Sequence, residues 1–136
     1  MITLSLPSNL NELDKVLEFV TLGQEVAKGP TQFWIELLDT VQKIYINIVK
    51  YAYHTCNGIV KISLNYNEEQ QAIEVLFLHE GIPYNPLEEL SLPSEIREDY
   101  EFRAGFGMSM LEKSSQTTSY IYKDNKNRTT VKKYLS

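Results

Sequence analysis

Ile59-Val60-Lys61-Ile62-Ser63-Leu64-Asn65-Tyr66 alternates apolar and polar residues, and Ala72-Ile73-Glu74-Val75-Leu76-Phe77-Leu78 follows after Asn67-Glu68-Glu69-Gln70. A period of two across a short polar turn reads as a β-hairpin, its second strand the more buried. Upstream the period is helical. Trp34, Leu37, Leu38, Val41, Ile44, Tyr45, Ile48, Val49 and Ala52 recur at three and four residues, so a long helix is expected from about Thr31 to about His54. Gly29-Pro30 separates it from an earlier helix carrying Leu10, Leu13, Val16, Leu17 and Val20, for which Ser8 is the expected N-cap. Ile2, Leu4 and Leu6 alternate before Pro7 as a first short strand. A helix from Gly105 to about Ser114 is expected next. A last hairpin, Thr118–Lys123 and Thr129–Leu135, should turn at Asp124-Asn125-Lys126-Asn127. The order β-α-α-β-β-loop-α-β-β predicts an α+β fold with helices grouped on one face of a mostly antiparallel sheet.

The chain has 136 residues, the length of one domain, and is 43% hydrophobic and 23% charged, which excludes a disordered or low-complexity class. A single cysteine, Cys56, excludes an intrachain disulfide and a cysteine-rich zinc site. His54, Cys56 and His79 do not have metal-ligand spacing. No apolar run approaches the roughly 18–20 residues of a membrane span, and the first residues lack a signal-peptide pattern. The expected setting is therefore cytoplasmic, without a membrane. A net charge of −5 with no long basic run argues against a general nucleic-acid surface. Without a secretory signal, the sequon at Asn127-Arg128-Thr129 carries no meaning.

Three patches carry a resemblance: Asn47-Ile48-Val49-Lys50-Tyr51-Ala52-Tyr53 on the long helix, Glu80-Gly81-Ile82-Pro83-Tyr84-Asn85-Pro86-Leu87-Glu88 after a buried strand, and Arg103-Ala104-Gly105-Phe106-Gly107-Met108 at a helix start. Together they resemble the histidine-kinase-like ATPase (GHKL) domain, and most closely the bacterial anti-sigma factor serine/threonine kinases. The resemblance spans residues 1–136 as a single domain. It implies a two-layer α/β sandwich of the Bergerat type, with a mixed, mostly antiparallel sheet. ATP would lie between the long helix, the turn at Gly81 and a lid at residues 87–103.

By the same resemblance, Asn47 would hold Mg²⁺, which prefers oxygen ligands. Gly81 would let the backbone approach the adenine. Gly105 and Gly107 would face phosphate at a helix start. Arg103 would serve catalysis by meeting the terminal phosphate, and Thr129 would reach the adenine.

Two positions depart from the family pattern. Lys43 stands where the family has its catalytic glutamate, one turn before Asn47, and a protonated lysine accepts no proton. Loss of a general base costs roughly 10²–10⁴ in rate. Asp39, a further turn back, is the nearby acid that could substitute. His79 stands where an aspartate accepts a hydrogen bond from the adenine amino group, and only a neutral imidazole could replace it. Arg128 replaces a glycine before Thr129.

The implied function is a regulatory domain of a partner-switching system, of the anti-sigma type, with a degenerate site where ATP and Mg²⁺ bind weakly or not at all. Its partner would be a STAS-type anti-sigma factor antagonist or a sigma factor, with a homodimer as a further possibility. The alternative is an active ATP-dependent kinase phosphorylating a serine or threonine on the antagonist.

Overall fold

The computed structural model describes residues 1–52, 58–87 and 116–135. The chain opens with β1 (Ile2–Pro7), then a 3-10 turn at Leu10–Glu12. Three helices follow: α1 (Leu13–Thr21), the single turn α2 (Gln24–Ala27) and α3 (Thr31–Asn47). A π-helical turn at Ile48–Ala52 extends α3, and the strands β2 (Ile59–Asn67), β3 (Ala72–Glu80), β4 (Gln116–Lys123) and β5 (Lys126–Tyr134) complete the sheet.

The five strands run in the order β1-β2-β3-β5-β4, so β1 and β4 are the edges. Every pairing among the described residues is antiparallel, which corrects the expectation of a mixed sheet. The β4–β5 hairpin joins β3 through its second strand. Pro7, which cannot donate to a ladder, is tolerated because β1 is an edge.

Alternation sorts each strand into an inner and an outer face. Val60, Ile62, Val75, Phe77 and Val131 point inward and are fully buried against Leu37, Val41, Ile44 and Ile48 of α3 and Val16 and Val20 of α1. At about 25 cal/mol per Å² of apolar area, each such side chain stabilises the fold by roughly 1.5–3 kcal/mol. Tyr45 fixes the other flank of α3: its hydroxyl accepts from Asn9 N at 3.2 Å and lies 2.8 Å from Asn9 O. Burial pushes the Tyr45 hydroxyl above its ordinary pKa.

Several local expectations are corrected. The cap of the first helical turn is Asn9, not Ser8: its side chain accepts from Asn11 N at 2.8 Å. The helical region breaks at Leu22–Gly23, where a Cβ on Gly23 would lie 2.8 Å from Trp34 Cη2, so the indole leaves no room for a side chain there. The final turn needs only Asp124 and Asn125, both at positive φ (55° and 62°) as a two-residue hairpin loop requires. Lys126 and Asn127 therefore belong to β5, and Asn127 faces inward with no exposure. The expected helix at 105–114 lies outside the described residues, as does most of the expected lid.

One charged residue sits in this interior. Lys133 is 1% exposed, lies 2.9 Å from Glu36 Oε1 on α3, and has its ammonium 5.5 Å from the centre of the Phe33 ring. Next to it Gln116 Nε2 donates to Thr40 Oγ1 at 3.0 Å. Removing one member of a buried ion pair costs more than replacing both. Glu36→Leu should therefore destabilise the protein by about 2 kcal/mol in urea unfolding, and adding Lys133→Met should restore most of the loss. A double variant weaker than Glu36→Leu alone would show that Lys133 contributes apart from this carboxylate.

Candidate functional site

Asn47 is the last residue of α3 and is 6% exposed. Its Nδ2 donates to Pro86 O at 3.1 Å. The segment leaving β3 thus crosses the end of the helix, and the π-helical turn begins at the next residue. Turns of that kind often mark functional positions in helices. Lys43, one turn earlier, is ion-paired with Asp39 Oδ2 at 2.8 Å. Both carboxylates of α3 are thereby engaged, Asp39 by Lys43 and Glu36 by Lys133.

His79 ends the inner row of β3, opposite Val60 on β2 and Asn127 on β5. It is 2% exposed, and burial pushes its imidazole down to about 4, so it is neutral at pH 7. Its ring lies 6.4 Å from that of Tyr84, which lies 6.3 Å from that of Tyr51 beyond α3. Gly81 follows at φ 114°, a conformation that favours glycine, and a Cβ there would meet nothing within 4 Å. Conformation rather than crowding is what requires glycine here. Gly81 O accepts from Tyr122 OH at 2.9 Å.

Thr129 lies on the inner face of β5, between Phe77 and Tyr120, with no exposure. Its Oγ1 has no hydrogen-bond partner among the described residues. Asn47, His79 and Gly81 therefore meet at one end of the domain, joined by residues 81–87, and Thr129 stands one inward row further along the sheet. Arg103, Gly105 and Gly107 lie outside the described residues, as do His54 and Cys56.

The residue that organises this end was missed in the sequence. Asn127 Nδ2 donates to His79 O at 3.3 Å and to Ile82 O at 3.2 Å. Its Oδ1 accepts from Tyr84 N at 2.8 Å and from the Tyr120 hydroxyl. One carboxamide thus uses its full donor and acceptor capacity to pin the exit from β3 onto β5. Its position among four turn-forming residues hid it, and the inward parity it shares with Thr129 and Val131 was the available signal.

Chemically, this end of the domain presents amides, a hydroxyl and a neutral imidazole. Among the described residues these are groups that donate and accept hydrogen bonds, with the carboxylate of Glu80 exposed beside them. Among the described residues no group of three or more His, Cys, Asp or Glu converges to hold a metal. No protein-family model matches the sequence, and no curated protein matches it.

Three outcomes follow from this geometry. Asn127→Ala should cost about 2–4 kcal/mol in urea unfolding, because several buried groups lose their partner together, and should raise hydrogen exchange at the Tyr84 amide. Thr129→Val should leave stability unchanged or raise it by about 1 kcal/mol, because it removes an unsatisfied buried hydroxyl. The third concerns His79, whose folded pKa lies below the ordinary 6.5. Between those values the unfolded chain binds more protons, so its contribution is present above pH 6.5 and is lost as pH falls through about 4. The loss should reach about 3 kcal/mol, and His79→Leu should flatten the stability–pH curve in that window.

Proposed function

We propose that this chain is a protein-binding regulatory domain on the histidine-kinase-like, Bergerat-type plan, of the anti-sigma type, with a nucleotide site that has lost its catalytic competence. The reading rests on the resemblance carried by the three sequence patches. The observation that supports its degenerate form is one turn before the end of α3: the ammonium of Lys43 is held by Asp39. Lys43 brings a cation to the position where the resemblance requires a carboxylate, and the acid that could have replaced it is already ion-paired. His79 is neutral but is a weak base, so proton abstraction has no agent among these groups.

A domain of this kind would act by holding or releasing a partner, a sigma factor or its antagonist, rather than by phosphorylating it. The test is calorimetric titration with ATP and ADP, with and without Mg²⁺. The expected result is no saturable heat up to millimolar nucleotide, and a gain of measurable Mg-ATP affinity in the Lys43→Glu/His79→Asp variant. Micromolar, magnesium-dependent binding by the unmodified chain would overturn this reading in favour of a kinase acting on the antagonist.

A further inference from the structure

The outer face of the sheet is charged in the opposite sense to the chain. Strand parity places Lys61, Lys123, Lys126, Arg128 and Lys132 on it, against the carboxylates Glu74 and Glu80. The chain as a whole carries −5. Of the five described cations elsewhere, three meet acids: Lys15 pairs with Glu12, Lys43 with Asp39 and Lys133 with Glu36. Among the described residues none of the five outer cations has an ion pair. Lys132 reaches only the neutral Gln70 side chain and the face of Tyr134.

The arrangement is ordered. Leu76 and Leu78 run along the central strand β3 as a half-buried spine. In the row through Leu78, Lys61 lies on one side and Arg128 on the other, with Ile121 beyond it, 54% exposed. The row through Glu74 places Lys132 on β5, and the row through Glu80 places Lys126 and Lys123. The row through Leu78 sets an apolar side chain between two cations, while Leu76 lies between Ser63 and Thr130; apolar residues beside an excess of cations are the complement of a helix with an apolar stripe bordered by carboxylates. Among the described residues the helices cover one face of the sheet, and the other face is the one such a layer would occupy. We infer that the outer face of the sheet docks an acidic amphipathic helix of a partner protein.

The alternatives fit less well. Single-stranded nucleic acid is held on sheets by aromatic platforms, whereas the spine here is Leu76 and Leu78. Two copies of the chain face to face would set cation against cation. The inference rests on the charge pattern of the sheet and not on the nucleotide reading, so the ATP titration can fail without affecting it.

The probe is a synthetic peptide of about 18 residues, long enough as a helix to cross the sheet, with leucines at helical spacing and glutamates on both borders. A lysine-bordered version is the control. Binding is followed by amide chemical shifts and by titration at two salt concentrations. The expected result is saturable, salt-sensitive binding of the acidic peptide alone, with shifts centred on Lys61, Leu78, Arg128 and Ile121. Lys61→Glu/Arg128→Glu should weaken it at least tenfold, and Lys61→Gln/Arg128→Gln by a smaller factor. Lys50→Glu on the helical side should leave it unchanged. Absence of shifts on the outer face would overturn the proposal. So would tighter binding of anionic phosphatidylglycerol vesicles or a DNA oligonucleotide to the same residues, or a dimer in sedimentation that Arg128→Glu alters.

Discussion

Helix α3 has one place to put its apolar side, the inner face of the sheet, and the rest of the molecule is arranged around that contact. Leu37, Val41, Ile44 and Ile48 are fully buried there. Because the helix is long, its polar residues are carried over the sheet as well, at Glu36, Thr40, Lys43 and Asn47. Each has a defined partner: Lys133, Gln116, Asp39 and the Pro86 carbonyl. A buried polar group without a partner costs about 1–3 kcal/mol, so this stripe constrains β5, β4 and the segment after β3 as firmly as the apolar stripe constrains the core. Asn47 is thereby a structural joint first, whatever else it binds.

The second joint, Asn127, holds the same segment from the sheet side. It ties the exit of β3 to β5, while Asn47 ties the same segment to α3. Residues 81–87 are held between two carboxamides, with Tyr84 placed between the rings of His79 and Tyr51. This is why His79 is buried deeply enough to lose its charge. A neutral imidazole in a dry corner is compatible with packing and with accepting a hydrogen bond, but not with acting as a charged anchor.

Much of this architecture was legible from periodicity, because period two and period 3.6 directly report which side of an element is buried. The strands β2 and β3, the start of α3 and a last hairpin turning within Asp124–Asn127 followed from that and from its turn residues. The Lys43–Asp39 pair was legible from helical spacing alone. Lys133 was not, since a lysine in an alternating strand reads as outward until its partner on α3 is known. Asn127 was hidden by four consecutive turn-forming residues where the hairpin uses two. Gly23 was missed because its role is the approach of Trp34, a contact from a different helix. The third patch, Arg103 to Met108, lies outside the described residues and stands on the sequence alone.

The two faces of the sheet divide the requirements of the protein between them. The inner face is uncharged except for Lys133, whose charge is compensated, and most of its polar side chains are satisfied from within the chain. Such an interior folds without waiting for a ligand to neutralise it. The outer face carries an excess of cations that have no ion pair among the described residues, at no comparable cost, because a charge in contact with water is weakly penalised. Charge that a fold does not need for its own stability is free to set the choice and rate of encounter with a partner. On this chain that charge is concentrated on one face and opposite in sign to the whole. That is the distribution the proposed docking of an acidic helix would use.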